Sequence, residues 1–465
     1  MTTPLKELYA KSALLADGWA RNVQITIDDQ GFITRIKENQ ASPGHNVERL
    51  QGVLLPGMAN CHSHAFQRAM IGMAEQRSRR GDDFWGWRDT LYRFLAAIGP
   101  QQLQSIAAQL YVEMLKAGFT SVAEFHYLHH APGGASYDDP AEMSHAIIRG
   151  ALDAGIQLTL LPVLYQFSDF GGVAAGPQQQ RFLHDGEGFQ RLLEQLATRY
   201  PNSQQLNHGM ALHSLRAVDE PLLHRGVATL KALHPNGPIH IHIAEQEKEV
   251  EAALTHTGQR PVDWLLDHCE VDAQWCLVHA THLNKQECQR LAASKAVAGL
   301  CPTTEANLGD GLFPAVDFLA QGGHFALGSD SHISVNPVEE LRLLEYGQRL
   351  THRRRTLLAN DAHPSVGAHL YTQALRGGAQ ALGIEAGAVA EGLRADFLVL
   401  DDNDPTLYGK HNDQLLDSWI FASQRPNVKD VMVAGRWQIR DGRHIQEEKI
   451  QRDYFRTIDR LTCRA

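Results

Sequence analysis

The chain has 465 residues, of which 43% are hydrophobic and 21% are charged, a composition typical of a folded globular protein. This length is sufficient for one large domain and one smaller domain. The formal net charge of -10 provides no basic field for nucleic acid or an anionic membrane surface, so we expect neither as a partner. A small anionic substrate remains compatible with this charge if a few arginines are focused in a site.

The cysteines and the N-terminal residues bear on the compartment. Six cysteines are scattered along the chain without a Cys-x-x-Cys pair, a pattern typical of the reducing cytoplasm. Residues 1–20 lack the apolar core of a signal peptide, and no stretch approaches the roughly 20 apolar residues of a membrane span. We therefore expect a cytoplasmic protein that makes no membrane contact.

Strand patterns occur near both ends of the chain. Residues 23–36 alternate apolar and polar side chains on either side of a turn, which is typical of a β-hairpin. Residues 395–400 and 428–437 have a similar pattern. Because neither terminal part has enough apolar residues to fold alone, we predict one small composite β-sandwich from residues 1–54 and 386–445.

Between these ends, apolar strand-like runs alternate with helix-like segments. Eight such runs end near His64, Tyr127, Tyr165, Leu215, Glu245, Leu283, Thr304 and His332. Eight strand-then-helix units in about 330 residues predict a (β/α)₈ barrel, of the triosephosphate isomerase type, over residues 55–385. A doubly wound open sheet is the alternative, but no Gly-x-Gly-x-x-Gly turn follows a strand. Residues 446–465 are predicted to form a charged C-terminal helix.

Metal-competent side chains stand where the predicted barrel strands end. His62 and His64 are two residues apart, so on a strand both imidazoles point to the same side and can reach one metal ion. Barrel enzymes gather their chemistry at these strand ends. Further candidates at such ends are His242, His279 and Asp330.

The predicted fifth strand, residues 238–245, carries two histidines that alternate with isoleucines. The isoleucines should face the surrounding helices, leaving both histidines inside the barrel. We prefer His242 as the metal ligand because it lies nearer the mouth, whereas His240 fits a hydrogen-bonded core residue. Glu245 follows at the mouth, where a carboxylate beside a metal suits proton transfer.

Each of these signals, taken singly, also fits a structural histidine or a solvated carboxylate. Their ordered occurrence at successive strand ends favours a metal centre with nitrogen and oxygen ligands suited to zinc and a position left open for water. The predicted fourth strand, residues 209–216, contains no lysine that could bridge two metals, which favours a single ion.

This arrangement resembles the amidohydrolase superfamily, in its single-metal deaminase branch. Within that branch the chain is most similar to the formimidoylglutamate deiminase family of bacterial histidine degradation, through residues 62–69, 84–88, 124–130 and 301–311. The resemblance implies one zinc ion per chain, held by His62, His64, His242 and Asp330. It also implies catalytic roles for Glu245, His279 and Asp330.

The activity implied by this resemblance is the hydrolysis of N-formimino-L-glutamate to N-formyl-L-glutamate and ammonia. A substrate with two carboxylates needs cations, and Arg88 and Arg216 are the best placed arginines. Gln67, Tyr127 and His213 could add hydrogen bonds. A homodimer is the family expectation.

Two other functions use the same residues. A deaminase of a purine, pterin or other aromatic ring would need the same metal ligands, but a pocket with stacking aromatics in place of paired arginines. A non-catalytic scaffold would hold zinc in a site closed by four protein ligands, without a nearby proton shuttle.

Overall fold

The computed structural model describes residues 5–44, 46–73, 75 and 91–463. Its strands are β1 (Lys6–Leu15), β2 (Gly18–Ile27), β3 (Ile33–Lys37), β4 (Glu48–Arg49), β5 (Val53–Pro56), β6 (Met58–Ser63), β7 (Phe119–His126), β8 (Gln157–Leu164), β9 (Phe167–Asp169), β10 (Val173–Ala174), β11 (Leu206–His208), β12 (Met210–Leu212), β13 (Ile239–Ile243), β14 (Trp275–His279), β15 (Val297–Leu300), β16 (His324–Leu327), β17 (Phe397–Leu400), β18 (Val428–Val433), β19 (Arg436–Arg440) and β20 (Arg443–His444).

The α-helices lie mainly between the strands of the central part of the chain. They are α1 (Pro100–Ala117), α2 (Glu142–Ala154), α3 (Gly186–Arg199), α4 (Glu220–Leu233), α5 (Glu247–Thr257), α6 (Pro261–His268), α7 (Lys285–Ser294), α8 (Pro302–Leu308), α9 (Ala315–Ala320), α10 (Pro337–His352), α11 (Val366–Leu382), α12 (Asp413–Ala422) and α13 (Glu447–Thr462). Short 3₁₀ helices cover Ala65–Met70 and Pro177–Phe182. None of the helices among the described residues combines the length and apolar content needed to cross a bilayer.

The central strands close into a parallel barrel in the order β6, β7, β8, β12, β13, β14, β15 and β16, with β16 pairing back to β6. Strands β11 and β12 both pair with β8 and together act as one barrel strand, interrupted at Gly209. A Cβ atom at Gly209 would lie 2.4 Å from the carbonyl oxygen of Pro238, so glycine is needed at this break. The predicted (β/α)₈ barrel is confirmed.

Local sequence explains where many elements begin and end. Helices α3, α4 and α7 start at Asp185, Asp219 and Asn284, whose side chains accept backbone N–H groups of the first turn. Helices α2 and α5 end at Gly155 and Gly258, which adopt the left-handed conformation that glycine tolerates. The barrel strands are buried along almost their whole length because helices cover them outside and side chains fill them inside.

A second sheet combines strands from both chain ends in the order β20, β19, β18, β17, β5, β1, β2 and β3, while β4 pairs with β1. It has an apolar core of its own, which includes Leu8, Ile25 and Phe397. The predicted composite β-unit is therefore present. The residue limits assigned above to the domains stay a prediction. Helix α13 packs on α1, where the Lys116 ammonium pairs with the Glu447 carboxylate.

The composite sheet continues directly into the first barrel strand. Only Gly57 separates β5 from β6, and its N–H donates to the carbonyl oxygen of Asp396 over 2.9 Å. A Cβ atom at Gly57 would lie 2.2 Å from Cγ2 of Thr120, so no larger residue fits there. The Tyr371 hydroxyl donates to the carbonyl oxygen of Pro56 over 2.6 Å. These contacts fix the start of the strand that carries His62.

Candidate metal centre

Three histidines from two barrel strands point at one another in the mouth of the barrel. The Nε2 atom of His62 lies 3.1 Å from Nε2 of His64 and 3.0 Å from Nε2 of His242. Asp330, which follows β16, brings Oδ1 to 3.5 Å from Nε2 of His62 and 3.4 Å from Nε2 of His64. All four side chains are buried. Their ligand atoms therefore surround a point where one cation could bind.

Backbone carbonyls determine which ring nitrogens carry hydrogen. Nδ1 of His64 lies 3.0 Å from the carbonyl oxygen of Phe125, and Nδ1 of His242 lies 3.0 Å from that of His213. Because a carbonyl only accepts, both Nδ1 atoms must donate, which leaves the Nε2 lone pairs facing the cluster. Burial also lowers the pKa of His62, His64 and His242, and so favours their neutral forms. Neutral imidazoles with second nitrogens fixed in this way are suited to bind a divalent metal.

His240 lies deeper in β13 and does not join the cluster. Its Nε2 atom lies 2.7 Å from the carbonyl oxygen of Ala381, and the side chain is fully buried. This is the arrangement expected of a hydrogen-bonded core histidine. The alternation along β13 thus directs both histidines into the barrel, but only His242 reaches the level of His62.

His279 and Glu245 lie beside the cluster. Nε2 of His279 is 3.8 Å from Oε1 of Glu245 and 3.8 Å from Oδ2 of Asp330. Burial opposes protonation of His279, but the nearby carboxylates of Glu245, Glu305 and Asp330 raise its pKa to about 10. Burial raises the pKa of Glu245, although His279 opposes that shift. The pair therefore places a proton donor and a carboxylate next to the candidate metal position.

The backbone is strained around this site. Positive φ angles occur at Ala244 (50°), His279 (66°), Ala280 (47°), Asp330 (45°) and His332 (63°). Non-glycine residues adopt such angles at a cost of about 1–3 kcal/mol each where the surroundings demand it, and such residues concentrate at functional sites. Here they lie at or just after the ends of β13, β14 and β16, where the chain must turn side chains toward the barrel axis.

A buried hydrogen-bond network supports the first and last barrel strands. Asn60 Nδ2 donates to Ser329 Oγ over 2.6 Å, and Ser63 Oγ donates to Glu124 Oε2 over 2.6 Å. The two ring nitrogens of His332 connect these pairs, at 3.0 Å from Ser329 Oγ and 3.3 Å from Ser63 Oγ. The network joins the segment holding His62 and His64 to the segment holding Asp330. No pattern in the sequence predicted this network.

A cavity of about 330 Å³ opens onto the cluster. The described residues of the predicted substrate site all line it, and they are Gln67, Tyr127, His213 and Arg216. The Gln67 amide donates to the Tyr127 hydroxyl over 3.3 Å. Arg88 and the predicted loop motif at residues 84–88 lie outside the described residues. Lys248 is a further cation in the cavity wall.

Two buried carboxylates near the site were not predicted. Glu249 accepts the N–H groups of Ala244 and Glu245 over 3.1 and 3.2 Å, and its Oε2 lies 3.7 Å from the Arg216 guanidinium. Glu305 contacts Nδ1 of His279 over 3.3 Å. Glu249 lies in the first turn of the helix after Glu245, a position from which an acidic side chain commonly caps the helix, and this was the available signal. Glu305 belongs to one of the loop motifs behind the family resemblance, but the sequence assigned it no role.

The comparisons with known proteins agree with this geometry. Residues 53–438 match the profile described as "Amidohydrolase family", and residues 6–49 match "Formimidoylglutamate deiminase HutF, N-terminal domain". A formimidoylglutamate deiminase of Pseudomonas aeruginosa is 52% identical over 459 residues, which are 98% of this chain and 100% of that protein. An 8-oxoguanine deaminase of the same species is 28% identical and covers 84% of this chain and 83% of its own length.

Solved structures have the same fold. An amidohydrolase from Brucella melitensis matches with a TM-score of 0.91 at 45% identity, covering 98% of this chain and 100% of its own. An adenosine deaminase from Xanthomonas campestris, crystallised with bound zinc, matches with a TM-score of 0.82 over 100% of both chains. Its identity is 20%, so this likeness concerns the fold alone.

The chain belongs to the amidohydrolase family, whose profile spans the barrel and reaches strands β5, β17, β18 and part of β19 of the composite sheet. Within that family it groups with the formimidoylglutamate deiminases, because both the N-terminal profile and the full-length relative from Pseudomonas aeruginosa carry that description. The family resemblance inferred from the sequence is therefore confirmed, and the chain is an enzyme.

A second group of histidines lies behind the site, at the end of β7 and in the loops that follow β7 and β8. The rings of His126 and His129 are 5.4 Å apart, and those of His129 and His184 are 4.5 Å apart. Among the described residues, neither ring nitrogen of His126 has a hydrogen-bond partner. Burial lowers the pKa of His126 and of His184 to about 3. Their neutral forms are therefore part of the folded state.

We expect this histidine group to make the fold sensitive to acid. An unfolded histidine has a pKa of about 6.5, so stability is complete above that pH and is lost as the pH falls from 6.5 toward 3. Each such histidine should cost up to about 1.4 kcal/mol of unfolding free energy per pH unit. Urea unfolding of chelator-treated protein between pH 7.5 and 5 measures this slope. His126→Phe should reduce it, and an identical slope in the variant would contradict the assignment.

Proposed function

We propose that this protein hydrolyses N-formimino-L-glutamate to N-formyl-L-glutamate and ammonia, as a step of histidine degradation. The observation that carries the proposal is the 52% identity to the formimidoylglutamate deiminase of Pseudomonas aeruginosa over 98% of the chain. The cavity chemistry supports it, because an arginine and the imidazole cluster open into one space. We also propose that the enzyme is cytoplasmic, on the basis of its scattered cysteines, and that it is a homodimer, as its family resemblance implies.

The residues of the cluster fit one zinc ion, held by His62, His64, His242 and Asp330. Three neutral nitrogens and one carboxylate oxygen are ligands that zinc commonly takes, and the carbonyl-bound Nδ1 atoms fix the ring orientations. When bound, zinc lowers the pKa of a coordinated water to roughly 7 and so makes a nucleophile available at neutral pH. The absence of lysine from residues 209–216 supports a single ion.

Glu245 is the proposed proton carrier. Its carboxylate takes a proton from the attacking water as oxygen bonds to the formimino carbon, and later gives a proton to the leaving nitrogen. Burial raises its pKa toward the working pH, as suits a group that must both accept and donate. Water supplies the oxygen of the formyl product, and the former imino nitrogen leaves as ammonia.

His279 and Asp330 are proposed to act on the same centre. His279 presents Nε2 to the space between Glu245 and Asp330, where it can donate to oxygen as charge develops in the tetrahedral intermediate. The Asp330 carboxylate orients the nucleophile from the opposite side. Both side chains are held by strained backbone, so the site keeps this geometry before substrate binds.

The substrate carboxylates require positive partners. Arg216 is partly exposed in the cavity wall, with 30% of its side chain accessible, and is the proposed partner of one carboxylate. Arg88 is the proposed partner of the other carboxylate, on the basis of the sequence. Gln67, Tyr127 and His213 are proposed to add hydrogen bonds from the cavity wall.

The first experiment measures ammonia release by the zinc-loaded protein. N-formimino-L-glutamate should be hydrolysed. Guanine should not, because it lacks carboxylates for the cations of the site, and N-carbamoyl-L-glutamate should not, because its ureido carbon is less electrophilic than the formimino carbon. Chelation of the metal should abolish release, and zinc should restore it. Activity on guanine alone would show that the enzyme acts on an aromatic ring compound instead. Failure to release ammonia from any of the three compounds would overturn the proposed activity.

Glu245→Gln tests the proton carrier. We expect kcat to fall by about 10²–10⁴-fold, because the amide cannot accept the proton of water. Zinc content should be unchanged, since Glu245 is not a proposed ligand, and both quantities can be measured on the same preparation. Glu247→Gln changes an exposed glutamate in the next helix and serves as the matched control. Unchanged turnover in Glu245→Gln would remove this residue from the mechanism.

Arg216→Ala tests recognition of the substrate carboxylate. Loss of a charged hydrogen bond of about 1.5–3 kcal/mol should raise KM by about 10–100-fold, whereas kcat should change less. Steady-state kinetics with N-formimino-L-glutamate gives both values. Arg225→Ala, which removes an exposed arginine from α4, is the control. An unaltered KM in Arg216→Ala would exclude Arg216 as a substrate contact.

A further inference from the structure

Glu305 is a buried carboxylate with no role in the mechanism described so far. It lies in α8, and 4% of the residue is exposed. One oxygen, Oε1, lies 3.3 Å from Nδ1 of His279 and accepts the N–H of Cys301 over 2.9 Å. The carboxylate thus connects the start of α8 with the histidine proposed to face the reacting centre.

The two nitrogens of His279 face different groups. Nδ1 faces Glu305, while Nε2 faces Glu245 and Asp330, each at 3.8 Å. Since a carboxylate only accepts hydrogen bonds, Nδ1 donates to Glu305. A half-turn of the ring would exchange the two sides and take Nε2 away from the centre. The positive φ of His279 shows that its backbone is also held in an unfavourable conformation.

We propose that Glu305 is a positioning residue for the deimination reaction. By accepting a hydrogen bond from Nδ1 of His279, it keeps Nε2 directed at the space between Glu245 and Asp330. This inference rests on the proposed function of His279. A carboxylate behind an active-site histidine fixes the ring orientation and the nitrogen that carries hydrogen. Glu305 acts through His279 and is not among the residues that line the cavity.

The contact geometry allows orientation to be separated from charge. Because the same oxygen of Glu305 accepts from both Nδ1 of His279 and the N–H of Cys301, a glutamine amide oxygen can keep both hydrogen bonds. Leucine of similar size removes them. Glu305→Gln should therefore preserve orientation, whereas Glu305→Leu should lose it.

A matched control is present in α10, which contacts the start of α8. Glu340 is fully buried and accepts the N–H and the hydroxyl of Thr303, over 2.9 and 2.6 Å. Removing it with Glu340→Leu disturbs the start of α8 without touching His279. A loss of kcat that arises only from loosening of α8 should therefore appear in both leucine variants.

The experiment uses the zinc-loaded enzyme with N-formimino-L-glutamate and ¹⁵N-histidine NMR. In Glu305→Leu we expect kcat to fall about 10–100-fold at unchanged zinc content, with KM altered by less than about twofold. Glu305→Gln should remain within about threefold of the parent, and Glu340→Leu should retain kcat despite any loss of thermal stability. The Nδ1–H signal of His279, identified by its absence in His279→Asn, should persist in Glu305→Gln and disappear in Glu305→Leu.

Three results would overturn the proposal. They are retained kcat in Glu305→Leu, equal loss in Glu305→Gln and Glu305→Leu, and an unchanged Nδ1–H signal in Glu305→Leu. If Glu305→Leu fails to fold, Glu305→Gln still tests the proposal. Loss of kcat or of the Nδ1–H signal of His279 in Glu305→Gln would contradict it. A parent enzyme without deiminase activity would refute the proposed function instead, and the NMR signal would then still report whether Glu305 orients His279.

Discussion

Backbone carbonyls that force hydrogen onto Nδ1 of His64 and His242 are the constraint on which the centre depends. Once those hydrogens are fixed, the Nε2 lone pairs of His64 and His242 face Nε2 of His62 at 3.1 and 3.0 Å. A single hydrogen between these rings can form only one good hydrogen bond, whereas a divalent cation can be bound by all three imidazoles together. The carbonyls belong to Phe125 and His213, so neighbouring barrel strands determine the ligand properties of the histidines.

The rest of the fold holds these three imidazoles close together, although their mutual approach is unfavourable. Strained residues after β13, β14 and β16 aim side chains inward, and their cost is offset by a large apolar barrel core. The network from Asn60 through Ser329 and His332 to Ser63 joins the first and last strands. Glu249 and Glu305 restrain the segments that follow β13 and β14. The candidate site residues therefore lie at the ends of barrel strands, and buried polar groups hold His64, His242 and His279 from a second side.

Sequence patterns predicted the parts of the site that depend on position along one strand. His62 and His64 follow from a two-residue spacing, and depth along β13 distinguishes His242 from His240. Strand counting predicted the barrel because buried parallel strands are nearly continuous apolar runs. Glu249 and Glu305 were not predicted from the sequence, because their importance arises from contacts with turns and with other strands. The interruption of a barrel strand at Gly209 was not predicted for a similar reason, since it reflects the close approach of the neighbouring backbone at Pro238.

The junction at Gly57 has a consequence for how the enzyme is made on the ribosome. Strand β5, one residue before the strand of His62, pairs with β17, which is synthesised more than three hundred residues later. The sheet that anchors the first two candidate ligands therefore cannot close until the chain is nearly finished. Non-local pairing of this kind delays the last stage of folding. Completion of the metal centre is thereby tied to completion of the polypeptide, so a prematurely ended chain would lack the anchor for its own histidine pair.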